Sequence, residues 1–402
     1  MRVLLVNKFL YPKGGAETYV LAVGKMLKEN GHEVQYFGLE NKKNTVGNRK
    51  QLLVSDMDFS KGIMKNLKAP FRIIYNFEAR KKIRGVLNDF RPDVIHLNNI
   101  QYHLTPSIIL EIAKWKKKNK SKCRIIYTAH DYQLVCPSHG MFDIDLKPCE
   151  KCLDGRYIHC YNTKCLKNSK LKSLLGTMDG YFWKYSKAYN YVDNYICCSN
   201  FLKEKLDTQE RFKDKTIEMH NFKDIVPFKN IEKKGYILEF GHLSKDKGTD
   251  TLIEAAKLLP EYKFVFIGYG PSIEKMKNIS NIEYLGFKTG EELYKIIAEA
   301  AVSVCPSEMY ENCPFSVIES IALGTPVIGA KIGGIPELIE DGKTGELFEP
   351  GNVQELVQKI KKIMLDDEEY DSYVENCKLS HCETSETYYK KLIKIYRGDF
   401  KC

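Results

Sequence analysis

No stretch of this chain approaches the ~20 consecutive apolar residues that a bilayer-spanning helix needs. The long apolar runs, such as those at 3–6 and 264–267, are the length of strands. The opening Met1-Arg2-Val3-Leu4-Leu5-Val6-Asn7 turns polar too soon for a secretory signal, so a cytosolic protein is expected. No nucleic-acid-binding motif accompanies the basic charge, which leaves nucleic acid unsupported as a partner. No internal repeat or low-complexity tract stands out, so neither a solenoid nor a disordered chain is indicated. No Asp-x-Asp motif stands where it would hold a divalent cation, and no catalytic metal is expected.

What is present is a chain of 402 residues, 43% apolar and 28% charged, which is too long for one ordinary core and typical of soluble domains. Its charge is divided unevenly. Residues 1–220 carry 39 Lys and Arg against 22 Asp and Glu, a balance of +17, whereas 221–402 carry 23 against 30, a balance of −7. Basic residues concentrate at 61–84, where Phe71, Ile73, Ile74, Tyr75 and Phe77 interleave with them, and at 114–124. A basic, partly apolar face suits an anionic membrane surface or a lipid-diphosphate acceptor, which places the protein at the inner face of a cell membrane. A solvated lysine-rich face explains the same run equally well.

Strand patterns alternate with helical ones from end to end. Strands are expected at 2–7, 34–38, 94–97, 125–128, 195–198 and 216–219, then at 236–240, 263–268, 282–285, 302–305, 326–329 and 346–348. Helical patterns fall between them, for example at 16–29, 106–117, 249–259, 291–300 and 353–364. Such alternation predicts two α/β domains built on doubly wound parallel sheets. A polar, aperiodic stretch at 221–234, with Pro227, marks the join.

The most informative segment is Pro306-Ser307-Glu308-Met309-Tyr310-Glu311-Asn312-Cys313-Pro314-Phe315-Ser316-Val317-Ile318-Glu319. Glu311 lies on a polar loop. Glu319 lies within the apolar helical stretch that follows, so both carboxylates can face one cleft. N–H groups at the helix start suit an anion such as a diphosphate. A Glu pair at this spacing is by itself more often a pair of solvated helix carboxylates. Here Gly324-Thr325-Pro326-Val327-Ile328, Gly333-Gly334-Ile335-Pro336-Glu337 and Asp341-Gly342-Lys343-Thr344-Gly345 follow it.

Together these motifs resemble the donor-binding signature of the retaining glycosyltransferases of family 4, which have the GT-B fold: two facing Rossmann-like domains with a cleft between them. The resemblance is strongest from 241 to 345 and near Gly14 and His130. It implies an N-terminal acceptor-side domain over 1–221, a nucleotide-sugar domain over 222–380, and a last helix over 381–402 that crosses back. It assigns donor binding to Gly14, Gly15, His242, Lys247, Gly268, Gly270, Leu285, Glu311, Asn312, Pro314, Phe315, Ser316, Val317 and Glu319. Glu319 would hold ribose hydroxyls and Glu311 a hydroxyl of the donor sugar, since a carboxylate can bind both hydroxyls of a diol. Lys247 would neutralise the diphosphate. Where the family carries Arg after the first Gly, this chain has His242, which is neither forked nor always charged. His130, within Ala129-His130-Asp131 after a strand, matches the family's cleft-floor histidine and would position the sugar. His130, Glu311 and Lys247 are thus the candidate catalytic set. In the family's same-face mechanism the departing diphosphate helps deprotonate the acceptor, and Lys247 with helix N–H groups stabilises it.

Thirteen cysteines are many for a cytosolic chain, and Cys136, Cys149, Cys152, Cys160 and Cys165 fall within 136–170. The spacing Cys149-x2-Cys152-x7-Cys160-x4-Cys165 suits tetrahedral zinc, with Cys136, His139 and His159 in reserve; free or transiently oxidised thiols are the other reading. A structural zinc is the expectation tested below.

The function implied is transfer of a hexosyl or N-acetylhexosaminyl group from a nucleotide sugar, UDP-linked, to a saccharide or polyprenyl-diphosphate-linked acceptor in cell-envelope or capsular polysaccharide synthesis. A sugar-nucleotide 2-epimerase shares the fold but needs a different catalytic set from Glu311 and Glu319. A nucleotide-sugar-binding subunit without turnover is the third reading, prompted by His242.

Overall fold

The computed structural model describes residues 1–56, 69–229, 231–365, 367–380 and 382–399. The first lobe contains β1 (Arg2–Val6), β2 (Glu33–Phe37), β3 (Val94–Leu97), β4 (Arg124–Ala129), β5 (Asn194–Cys197) and β6 (Thr216–Glu218). The second contains β7 (Tyr236–His242), β8 (Lys263–Tyr269), β9 (Ile282–Tyr284), β10 (Val302–Cys305), β11 (Val327–Ala330) and β12 (Gly345–Phe348). Among the helices, α1 (Gly15–Glu29), α2 (Ala69–Ile74), α3 (Phe77–Phe90), α4 (Ser107–Asn119), α5 (Ile158–Asn162), α6 (Lys170–Tyr185) and α7 (Asn200–Asp207) belong to the first half. The second half adds α8 (Thr249–Leu258), α9 (Gly290–Glu299), α10 (Phe315–Ala322), α11 (Val353–Leu365), α12 (Asp367–Leu379) and α13 (Ser385–Arg397).

Both sheets are six-stranded, ordered β2-β1-β3-β4-β5-β6 and β12-β11-β10-β7-β8-β9, and every pairing is parallel. Parallel strands are covered on both faces, which is why they read as near-continuous apolar runs. Successive residues feed opposite faces. Leu4 and Val6 join the core beneath α3 and α4, while Val3 and Leu5 join the core beneath α1. In the second sheet Ile237 faces α8 and α11, and Tyr236 and Leu238 face α9. The arrangement is α/β, two Rossmann-like sheets facing one another. In each, the order reverses beside the first strand, where such sheets open a ligand crevice at their carboxyl ends.

The chain passes between the lobes twice. After β6 it runs through Asn221 to β7. After α12, which packs into the second core through Tyr373 and Cys377, it returns to the first lobe. There α13 buries Tyr388, Leu392, Ile393, Ile395 and Tyr396 against Val3, Val94, Ile126 and Ile196. The two passes are bonded to each other, with the Lys223 N–H on the Glu383 carbonyl (3.0 Å) and the Ser385 N–H on the Asp224 carboxylate (2.8 Å).

Of the basic segment at 61–84, Lys61, Lys65 and Lys68 lie outside the described residues. Ile73 is buried, and Tyr75 stacks on Trp183 with ring centroids 6.0 Å apart. Arg72 and Lys82 pair with Glu78, and Arg80 and Arg84 with the buried Glu111. Four cations of the described part of this run are thus paired within the lobe, while Phe71 and Phe77 remain exposed. Among the described residues no helix is long and apolar enough to cross a membrane.

Candidate active site

The lobes enclose a cleft of about 580 Å³. From the first lobe it is lined by Gly15 at the start of α1, by Asn99 after β3, and by His130, Asp131 and Tyr132 after β4. From the second come Glu239, His242, Lys247, Glu311, Asn312, Pro314, Phe315, Ser316 and Glu319. Ten expected residues therefore share one cavity: Gly15, His130, His242, Lys247, Glu311, Asn312, Pro314, Phe315, Ser316 and Glu319.

His130 is held by its neighbours in a defined tautomer. The Asn98 amide nitrogen donates to the carbonyls of Val6 (3.3 Å) and His96 (3.4 Å), so its oxygen is the acceptor for His130 Nε2–H at 2.9 Å. Burial, with Lys8 nearby, pushes the imidazole down to about 3. His130 is thus neutral and a feeble base, with its Nδ1 lone pair available to a donor. Asp131 is pushed up to about 6 by burial, and it accepts the Gln133 N–H (2.9 Å) while the His130 proton goes to Asn98. The two do not form an acid–base dyad. Behind His130 stands Tyr19, edge-on at 4.9 Å, whose hydroxyl bonds those of Tyr388 (2.7 Å) and Thr128 (3.2 Å).

Across the cleft, each expected glutamate faces a lysine. Lys247 is ion-paired with Glu311, which also accepts from Ser307 Oγ (3.4 Å). Burial lowers the Lys247 ammonium, but Glu311 outweighs it and leaves it raised. Glu319, the fifth residue of α10, lies 3.1 Å from Lys223 Nζ; burial raises its carboxyl and Lys223 opposes the rise. Lys247 is carried on a single 3₁₀ turn, Lys245–Lys247, that ends in Gly248. Gly248 has φ +75°, and a Cβ there would lie 1.8 Å from the Pro306 carbonyl, so glycine is required for this turn to press against the 306–314 loop. Helix α10 begins at Phe315 with no side-chain cap, leaving its first N–H groups to face the cleft.

Two contacts cross between the lobes beside these groups. Asn312 donates to the His130 carbonyl (3.0 Å), and its own buried side-chain oxygen has no partner. Glu337, from the Gly-Gly-Ile-Pro-Glu loop, accepts the Asn200 and Phe201 N–H groups at the start of α7 (both 2.7 Å) and His220 Nε2 (3.0 Å).

Five expected donor-binding residues do not line the cleft. Val317 is fully buried in the second core, and Leu285 bonds the Phe266 carbonyl and packs partly buried against the β7–β8 face. Gly14 precedes α1, exposed and extended. Gly268 and Gly270 serve backbone approach: a Cβ would lie 1.9 Å from the Gly241 carbonyl and 2.0 Å from that of Leu243. Tyr269, between them, sits 5.2 Å from the His242 ring and 5.9 Å from Phe287, an exposed aromatic ledge at the strand ends. Sequence reasoning missed Asn98, Asn99, Tyr132 and Glu239. An acidic residue inside the apolar Tyr236-Ile237-Leu238-Glu239-Phe240 was a legible signal for the last.

Cys136, Cys149, Cys152, Cys160 and Cys165 line one small cavity with Ser138, Glu150 and His159. Cys160 and Cys165 sulfurs lie 2.8 Å apart. As placed, no three His, Cys, Asp or Glu groups among the described residues could hold a metal ion. His139 is elsewhere, on the main cleft and stacked on Tyr102 at 5.0 Å. The Asp-x-Asp spacing does occur at Asp143 and Asp145, but Asp143 caps a turn by accepting the N–H groups of Asp145 (2.9 Å) and Lys147 (3.0 Å). It occurs again at Asp56 and Asp58, of which the second lies outside the described residues.

The family model for Glycosyltransferase Family 4 matches residues 13–224, and that for Glycosyl transferases group 1 matches 221–379. An uncharacterized 42.6 kDa protein in the cps region of Klebsiella pneumoniae is 26% identical over 84% of this chain and 87% of its own length. The amylovoran biosynthesis glycosyltransferase AmsK of Erwinia amylovora is 31% identical over 32% of this chain and 35% of its own. Among solved structures, Anabaena HepE in complex with UDP and glucose superposes with a TM-score of 0.67 at 16% identity, covering 99% of this chain and all of that one. The lipopolysaccharide outer core galactosyltransferase WaaB gives 0.64 at 15% identity, covering both chains fully. With one family model over the first lobe, a second over the other, and a GT-B arrangement of the two, the chain belongs to glycosyltransferase family 4.

Proposed function

We propose that this enzyme transfers a hexosyl or N-acetylhexosaminyl group from a UDP-sugar, with retention of anomeric configuration, to a saccharide or polyprenyl-diphosphate-linked acceptor of a cell-envelope polysaccharide. The observation that carries the reading is the placement of Lys247, Glu311 and the start of α10 opposite His130 across one cleft. Lys247 and the α10 N–H groups stabilise negative charge as the diphosphate leaves. Glu311 orients a sugar hydroxyl, and Glu319 the ribose. His130 is too weakly basic to take the acceptor proton at neutral pH, which fits a same-face reaction in which the leaving diphosphate takes it. Its free Nδ1 accepts from a donor-sugar hydroxyl instead. The UDP found in HepE and the polysaccharide setting of AmsK and the Klebsiella protein support the choice of donor and pathway class.

Three further assignments belong to the same reading: an acceptor domain over 1–221 and a donor domain over 222–380, zinc bound by Cys149, Cys152, Cys160 and Cys165, and attachment to the inner membrane face through the basic first lobe. Incubating the protein with a panel of UDP- and GDP-sugars and a lipid-linked acceptor, with NMR of the product anomer, tests the central claim. A retained α-linked product from a UDP-sugar is expected. An epimerised donor, or binding without turnover, would refute it.

A further inference from the structure

Glu239 is the acid that interrupts β7, and it is only 5% exposed. It lies on the sheet face toward α8, where Thr249 Oγ1 donates to its Oε1 at 2.7 Å. Its other oxygen, Oε2, is buried and has no partner. The residue lines the cleft with Gly241, His242 and Lys247. Burial pushes this carboxyl up to about 8; Thr249 opposes the rise and Asp250, on α8, adds to it. The other titratable groups around it are Lys247 on the turn before α8, Cys305 at the end of β10, Glu311 on the loop beyond, and His242 on its own strand. The Lys247 charge is already committed to Glu311. Among the described residues no cation pairs with Glu239, so at neutral pH it holds its proton.

Thr249 supplies the hydrogen to Oε1, so the carboxyl proton resides on Oε2. That makes Oε2 a buried donor without an acceptor, which a folded protein tolerates poorly. The anion expected at the adjoining turn offers acceptor oxygens and no donors. A neutral carboxyl attracts it, where a carboxylate would repel it.

We propose that Glu239 holds the diphosphate of the nucleotide as a protonated, uncharged hydrogen-bond donor, beside the position where His242 stands in place of an arginine. The proposal rests on the reading of the cleft as a nucleotide-sugar site.

Titration calorimetry of the full chain with UDP at pH 7 and pH 9 tests it. If only the protonated form binds well, wild-type affinity falls about tenfold between the two. Glu239→Ala binds about tenfold more weakly at pH 7. Glu239→Gln, whose amide can still donate, recovers most of that loss and lacks the alkaline fall. Ionisation of the uracil ring is common to all the proteins and cancels in the comparison. Thr249→Val removes a bond that favours the carboxylate, and it moves the fall to higher pH, an independent readout should a Glu239 variant fail to fold. Identical pH profiles in wild type and Glu239→Gln overturn the role of Glu239 while leaving the cleft reading intact. Wild-type protein with no affinity for UDP at either pH overturns the cleft reading and this role together.

Discussion

The ammonium of Lys247 is bonded to the carboxylate of Glu311, sixty-four residues away and on a different loop. Each is thereby held at the cleft wall, partly buried. Removing one member leaves the other as an uncompensated, partly buried charge. Glu311→Gln should keep the fold and lower transfer about 100-fold, the scale on which misplacing an oriented reactant slows a reaction. Initial rates with the preferred UDP-sugar, alongside the thermal midpoint, check this; full activity in the variant would refute the assigned role.

Lys247→Glu should abolish measurable UDP binding, because it replaces a cation with a second anion beside Glu311. Isothermal calorimetry reads the result directly, and unchanged UDP affinity would remove the diphosphate from this turn.

Glu337 joins the lobes through the start of α7 and His220. Glu337→Gln should cost about 1–2 kcal/mol, the range for a lost charged cap or charged hydrogen bond, and lower the thermal midpoint by a few degrees. The pH dependence follows from both partners. Burial raises the Glu337 carboxyl, but His220 and the two N–H groups outweigh it and hold it below its usual 4.5. Its contribution is present above that value and lost as pH falls through the lowered one. His220 is raised above 6.5, chiefly by its bond to Glu337, so its contribution is present below 6.5 and lost as pH climbs through the raised value. The difference in midpoint between wild type and Glu337→Gln should therefore be largest between about pH 4.5 and 6.5.

Purified protein should contain close to one zinc per chain by mass spectrometry if the cysteine cavity binds it. Double replacement of Cys149 and Cys152 by Ser should remove the metal and loosen residues 136–170 to protease. Protein free of zinc, with Cys160 and Cys165 joined on mild oxidation, would favour a thiol pair instead; their 2.8 Å approach is closer than the separation of two thiolates on one zinc.

The strands were legible because parallel strands announce themselves as short, doubly buried apolar runs. All twelve expected strands overlap observed ones, with ends shifted by a residue or two. The cleft residues of the 306–319 segment were legible because loop, helix start and both glutamates are contiguous. Other features depend on partners distant in sequence. Ile73 and Tyr75 read as part of a basic, apolar surface, yet the chain buries Ile73 and stacks Tyr75 on Trp183, 108 residues on. Glycines 268 and 270 read as ligand loops, while the distances that require them are to the carbonyls of Gly241 in β7 and of Leu243 just after it. The tautomer of His130 is fixed by Asn98, which local pattern does not connect to it.

The return of α13 to the first lobe has a consequence for biosynthesis. Tyr388 and Tyr396 bond Tyr19 and His96, and the helix covers a face of the first sheet that β1 to β6 leave open. A ribosome emits that sheet by residue 218, but the cover for it only from residue 385 onward. That lobe is thus completed only after the second has been made, and it must wait, with apolar surface showing, while the second lobe is synthesised.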